Sequence, residues 1–246
     1  MRKGKYISLG ILFLILIHFR GNAQKNVDNQ QLLWVRYNLK LKINNTYQIR
    51  QEFEERTYWF PWRQHQMLSK THLERSLGNG WIAGVGLTYS EQSLPNNPNI
   101  SDTYNVAEIR PQAEIYNKQI LTNSLNLEHR YWAEFRFFEQ PDGSFEFSNS
   151  RMRYKLELQY NPVKKATVKV FDEILINVGS SITNNVFDQN RYGGSVQYMP
   201  SEDFGFELGY INWFQQRPSG VDLYNRNIVR LTFHHNINLK KNKSHV

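Results

Sequence analysis

The segment Asn126-Leu127-Glu128-His129-Arg130-Tyr131-Trp132-Ala133-Glu134-Phe135-Arg136-Phe137 carries two interleaved patterns. Every second residue gives Asn126, Glu128, Arg130, Trp132, Glu134 and Arg136, and the offset set gives Leu127, His129, Tyr131, Ala133, Phe135 and Phe137. Successive side chains of an extended chain point to opposite faces, so this segment predicts a strand with one ionic face and one apolar, aromatic face. An ordinary sandwich strand would turn Thr, Ser and Lys to solvent. Here Arg and Glu alternate on the polar face, as groups facing one another across a confined, wet space would. A transmembrane β-barrel sets its apolar, aromatic side against lipid and its polar side in the lumen.

The pattern extends in both directions from this segment. Residues 33–43 set Leu33, Val35, Tyr37, Leu39 and Leu41 against Trp34, Arg36, Asn38, Lys40 and Lys42. After the turn at Asn44-Asn45, residues 46–58 set Tyr47, Ile49 and Phe53 against Gln48, Arg50, Glu52, Glu54 and Arg56. Further strands are predicted at about 66–77, 81–91, 104–117, 122–138, 145–160, 166–177, 187–198, 203–214 and 224–239. Gly84 and Gly86 fall on the polar side of the 81–91 strand, where a missing side chain leaves room for a neighbour. Short connections at 117–119, 161–163 and 199–201 alternate with longer ones at 92–103, 139–144, 178–186 and 215–223. That asymmetry suits a barrel with tight periplasmic turns and long outer loops.

The expected fold is therefore all-β, a single antiparallel up-and-down transmembrane barrel. Eleven strands are legible, whereas a bacterial barrel with both ends in the periplasm needs an even number. The expectation is 10–12 strands with 12 favoured, either through a split segment or with the short piece 25–31 threading the lumen.

Composition narrows the class. Residues 1–23 hold Arg2, Lys3 and Lys5, an apolar run from Ile7 to Ile17 and the small-residue ending Gly21-Asn22-Ala23, which reads as a cleaved signal peptide. It contains four basic residues and no acid, so its removal lowers the formal charge from +8 to +4. The basic balance is thus partly the export signal, and no basic helix or nucleic-acid motif accompanies it. There is no Cys, hence no disulfide, thiolate metal site or lipoprotein anchor. The negative mean hydropathy excludes a bundle of apolar helices but not a barrel, half of whose strand residues are polar. No cofactor motif is present. The expected partners are outer-membrane lipid and the barrel assembly machinery during biogenesis, for a monomer in the outer membrane.

The lumen-lining candidates are Arg50, Glu52, Glu54, Arg56, Glu108, Arg110, Glu114, Glu128, Arg130, Glu134, Arg136, Arg151, Arg153 and Glu157. Two readings of them stay open: an ion-paired polar core that fills the lumen, or a selective path for small hydrophilic or charged solutes. Asp172, Glu173, Asp188, Asn190 and Arg191 flank the 178–186 loop and are candidates for hairpin hydrogen bonding or for holding a weakly bound hard cation. No metal-type His spacing and no catalytic elbow is present. A lipid-modifying enzyme would have to draw on His65, His72, His129, His234 or His235 with Ser69, Ser76 or Ser150, the pair His72 and Ser76 being the first choice. A soluble lipocalin-like barrel with an apolar cavity is the other alternative. The aromatics Tyr37, Tyr89, Tyr131, Phe135, Tyr154, Tyr160, Tyr192, Tyr198, Tyr210 and Phe233 are placed on the outward face.

Several of these pieces, in order, resemble a known family. They are Leu33-Trp34, the run from Arg50 to Arg56, the segment from Glu128 to Arg136, and Arg151-Met152-Arg153-Tyr154. Phe171-Asp172-Glu173, Phe187-Asp188-Gln189-Asn190-Arg191, Leu208-Gly209-Tyr210 and the closing strand from Asn227 to Phe233 complete the series. Together they are similar to the Gram-negative outer-membrane proteins grouped as domain-of-unknown-function family 2490. The resemblance implies an outer-membrane barrel and carries no catalytic residues. One departure is the basic tail 240–246, which displaces a terminal aromatic signal inward, towards Phe233.

Overall fold

A computed structural model describes residues 26–239; the signal-peptide expectation for 1–23 and the tail 240–246 lie outside them. Eleven strands form one closed barrel. They are β1 (Asn26–Lys42), β2 (Tyr47–Tyr58), β3 (Arg63–Gly78), β4 (Trp81–Leu94), β5 (Tyr104–Ile120), β6 (Leu125–Glu139), β7 (Phe145–Val163), β8 (Ala166–Val178), β9 (Phe187–Tyr198), β10 (Phe204–Gln216) and β11 (Asp222–Asn238).

The favoured count of twelve is corrected to eleven, and the purely antiparallel expectation to a mixed barrel. Neighbours in sequence pair antiparallel, and β1 closes the cylinder by pairing parallel with β11 from Asn26↔Asp222 to Lys42↔Asn238. With an odd count the first and last strands run the same way, and a parallel ladder can still satisfy both edges. Residues 26–31, for which threading the lumen is one of the two alternatives offered by the sequence, are the start of β1, paired to β11 along their whole length. The chain therefore enters the barrel at one rim and leaves it at the other.

The connections divide by rim. At one lie 43–46, 79–80, 121–124, 164–165 and 199–203; at the other lie 59–62, 95–103, 140–144, 179–186 and 217–221. The tightest turn, Gly78-Asn79-Gly80, has positive φ at all three residues (88°, 49° and 79°), the backbone that joins twisted strands by two residues. Two turns fall later than the sequence indicates, because β5 continues through Asn117 to Ile120 and β7 through Pro162 to Val163. Pro162 is accommodated at a register shift between Tyr160 and Val163, where no ladder hydrogen bond is required of it.

The apolar set faces out. Phe53, Leu73, Val85, Leu87, Tyr131, Phe135, Met152, Tyr192, Val196 and Leu208 are all exposed on the outer wall, while charged and amide side chains fill the inside. This is the reverse of a lipocalin-like barrel, whose cavity would be apolar. A buried hydrophobic cluster, Leu32, Trp34, Tyr58, Ile211, Trp213 and Ile228, lies inside the barrel towards the long-loop rim.

Candidate functional site in the barrel lumen

Period-two geometry stacks alternate residues of each strand on the inner wall, where they meet both along the strand and across to neighbours. Arg50 on β2 illustrates the result. Its guanidinium reaches Glu52 two residues on at 2.8 Å, Glu74 on β3 at 2.6 Å and Glu114 on β5 at closer range. Glu114 can approach because Gly84 and Gly86 leave the intervening β4 without inward side chains at this level, before Thr88 and Ser90 resume the inward row. A Cβ on Gly84 would lie 3.3 Å from Glu74 Cγ and 3.4 Å from Glu114 Cγ, and one on Gly86 only 2.6 Å from His72 Cδ2.

The other sequence candidates fall into linked groups on the same wall. Glu54 accepts from Arg36 and Arg56, both at 2.5 Å, and Lys70 binds Glu52 at 3.1 Å. Glu108 joins Arg110 (2.5 Å) to Arg136 (2.6 Å). Arg151 bridges Glu134 (2.6 Å) and Asp188 (3.0 Å), Arg153 bridges Glu134 (3.1 Å) and Glu173 (2.9 Å), and Arg130 also reaches Glu173 (3.1 Å). Glu157 takes Lys155 and the amide of Gln159, which also points to Glu128 at 3.5 Å. A further group around Glu207 holds Lys169, Arg230 and His234 at 2.8–3.3 Å. The lumen-lining candidates read from the sequence leave out Lys70, Glu74, Lys169, Glu207, Arg226 and Arg230, which also face inward. The same alternation carries them, most plainly as Tyr224, Arg226, Ile228, Arg230, Thr232 and His234 on β11.

The set proposed around the 178–186 loop is not one site. Asp172 and Asn190 lie on the outer face, joined side chain to side chain at 2.7 Å. Glu173, Asp188 and Arg191 point inward. A register shift in the β8–β9 ladder makes Asp188 an extra residue opposite β8, and this bulge turns both Asp188 and Gln189 inward. The wall thus separates the oxygens that would have had to share a cation, and among the described residues no group of three or more His, Asp or Glu could hold a metal ion. The pair His72 and Ser76 is likewise not assembled: His72 is fully buried inside, bonded to Gln112 at 2.7 Å and edge-on to Trp132, while Ser76 is exposed near the end of β3.

Between these groups lies an interior cavity of about 310 Å³. Its lining runs from Trp34, Arg56 and Ile211 on the long-loop side to Lys40, Gln197 and Asn236 on the short-turn side, and includes thirteen Lys or Arg side chains against five Glu. Several of the carboxylates that neutralise these cations, Glu54, Glu114 and Glu134 among them, sit behind them in the wall. Side-chain exposure is 18% for Arg36 and 19% for Arg130, against 0% for Glu54 and Glu114 and 2% for Glu134. A charge in the cavity therefore meets guanidinium and ammonium groups first. Two tryptophans, each between two guanidinium groups, face the same space. Trp34 has Arg56 at 3.8 Å and Arg191 at 5.8 Å from its ring centre; Trp132 has Arg153 at 4.1 Å and Arg130 at 4.8 Å.

At the long-loop end the buried aromatic cluster forms an end wall. Trp213 packs edge-on to Trp34 (5.8 Å) and to His65 (6.0 Å), and His65 edge-on to Tyr58 (5.1 Å). Loop 95–103 is tied down beside it. Arg63 donates to the carbonyls of Pro95 (2.7 Å), Asn97 (2.6 Å) and Ile100, and Gln30 donates to that of Asn96 (2.8 Å).

No curated protein matches this chain. Among solved structures it is similar to the one described as "NanC porin structure in rhombohedral crystal form", at 13% identity and a TM-score of 0.48, over 79% of this chain and 92% of that one. The family model described as "Protein of unknown function (DUF2490)" matches residues 31–225, and the chain belongs to that family.

Proposed function

We propose that this protein is an exported, monomeric outer-membrane barrel whose lumen admits small hydrophilic anions. The observation that carries the reading is the charge balance of the lumen surface: thirteen Lys or Arg side chains line the cavity against five Glu, and other carboxylates such as Glu54, Glu114 and Glu134 stand behind the cations. Rings of fixed charge in a confined polar passage select ions of opposite sign, and low-dielectric walls strengthen the effect. The outward apolar and aromatic band supports lipid as the surroundings of the wall, since a soluble barrel would expose it to water. The residues the lumen would use are the lumen-lining candidates from Arg50 to Glu157, with Glu173 and Arg191 added. Residues 1–23 would direct export.

The aromatic end wall supports a second form of the same reading, in which the lumen is a one-ended pocket entered from the short-turn rim. Planar-bilayer recording on the folded, detergent-purified chain separates the two. An open path gives steady conductance with a reversal potential favouring anions, and Arg130→Ala with Arg153→Ala moves that potential towards zero. A reversal potential unchanged in the double variant removes these residues from the path. A folded barrel that never conducts leaves the pocket form.

A further inference from the structure

We infer that the aromatic end wall of the lumen is a binding site for a small oxyanion, formed by Arg226 and Arg191 with Trp213, Tyr58 and His65. The inference rests on the reading of the lumen as an anion-accepting space and gives that space a specific binding point.

Most guanidinium groups in the lumen are matched by carboxylates. Arg226 and Arg191 are not: neither is in an ion pair among the described residues. Arg226 is 1% exposed, and its bonds go to two neutral amides, Gln30 Oε1 at 2.7 Å and Gln215 Oε1 at 2.6 Å. Arg191 donates to Gln189 Oε1 at 2.5 Å; Glu173, its register partner on β8, is near enough to attract it but is shared between Arg130 and Arg153. Asp28, an acid close enough to influence Arg226, is itself exposed and paired with Arg217 at 3.5 Å. Burying a cation without an anion is costly, and a bound anion offsets that cost.

The two cations converge on one ring. Arg226 lies 4.3 Å and Arg191 4.7 Å from the centre of Trp213, and Arg226 also stacks on Tyr224 at 4.1 Å. Stacking occupies the faces of a guanidinium and leaves its N–H edge for hydrogen bonds to an oxyanion; with the amides already served, Nη2 of Arg226 and Nε of Arg191 are the nitrogens left for it. Around them, buried polar atoms have unmet hydrogen-bonding capacity: Arg226 Nη2, Arg191 Nε, Trp213 Nε1, the hydroxyl of Tyr58, which interacts with Arg226 but whose O–H finds no acceptor, and both ring nitrogens of His65. All but one ring nitrogen of a neutral His65 can donate, so the unmet need is for an acceptor. Arg191 and Trp34 border the cavity, and Arg226, Trp213, Tyr58 and His65 lie buried directly beyond them, so an anion would reach this wall past Arg191.

The test is calorimetric titration of inorganic phosphate, and in parallel acetate, into the folded full chain in detergent at low ionic strength. Saturable binding of one anion per barrel is expected, and the tighter of the two identifies the phosphate or the carboxylate class. Arg226→Gln and Arg191→Gln should each weaken it about tenfold or more. Lys40→Gln, which removes the same charge from the same cavity, should change it by about twofold at most. Equal losses in all three variants would reduce the effect to diffuse attraction and overturn the site, as would absence of saturation in the unaltered protein. If Arg226→Gln does not fold, Tyr58→Phe and Trp213→Phe keep ring packing and delete one donor each; unaltered affinity in both refutes the inference. Anion-selective conductance without saturable binding removes the site and leaves the anion path. Saturable binding in a barrel that does not conduct does the reverse.

Discussion

Arg50 is the most heavily shared cation of the lumen, and replacing it with Gln tests whether the inner wall is held by specific ion pairs. Its three acids do not depend on it equally. Glu52 keeps Lys70 at 3.1 Å and Arg36 at 3.8 Å, and Glu74 keeps Gln48 at 2.5 Å and Tyr116 at 3.2 Å. Glu114 keeps only His72 at 3.8 Å; its side chain is fully buried and its Oε2 has no partner. Removing one member of a buried pair costs about 3–5 kcal/mol because the other is left charged and desolvated. Arg50→Gln should therefore cost about that much, nearly all of it through Glu114. The double variant Arg50→Gln/Glu114→Gln should recover a large part, with a coupling of about 1–3 kcal/mol, whereas adding Glu52→Gln instead should recover little. Guanidinium unfolding of the barrel in lipid vesicles, followed by heat-dependent gel migration, measures each arm. Strict additivity of Arg50→Gln and Glu114→Gln, or equal rescue by Glu52→Gln, would show that the pairs act only as a diffuse charge field.

Three further outcomes follow from the same coordinates. Gly86→Ala should destabilise the barrel by about 1–3 kcal/mol, since its Cβ would meet His72, while Gly84→Ala, meeting flexible Glu methylenes at 3.3–3.4 Å, should cost clearly less; unfolding midpoints that rank the two the other way contradict the close β3–β4–β5 packing. Because the protein has no cysteine, a Val35→Cys/Leu231→Cys pair reports on closure directly, the two residues being register partners in the parallel β1–β11 ladder. Oxidation should give a faster-migrating cross-linked species, and its absence, with folding intact, would indicate an intervening strand. Asp172→Val, on the outer face, should leave stability in vesicles unchanged or raise it by up to about 2 kcal/mol, because a carboxylate facing lipid is unfavourable; a clear loss would mean that this face is not in contact with lipid.

What made the fold legible in sequence was the strict period of two. It separates Leu33, Val35 and Tyr37 from Trp34, Arg36 and Asn38 before any partner strand is known, and a one-residue error would reverse every side chain. The identity of the inward faces followed from residue type alone, because a row such as Arg50, Glu52, Glu54 and Arg56 has no place against lipid. The same logic failed at Asp172, Asn190 and Asp188. There a bulge resets the phase, and adjacent residues that look like one acidic cluster lie on opposite sides of the wall.

The sequence by itself determined strands with one ionic and one apolar face and, away from the bulge in β9, the residues on each side, because alternation is a local property of an extended chain. Only the tertiary structure decided how the cylinder closes, since parallel pairing of β1 with β11 joins residues about two hundred positions apart and leaves no local mark. It alone also showed which charges neutralise one another. Arg50 finds Glu114 across a strand emptied by two glycines, while Arg226 finds no carboxylate, and that difference depends on where eleven strands bring their side chains in space.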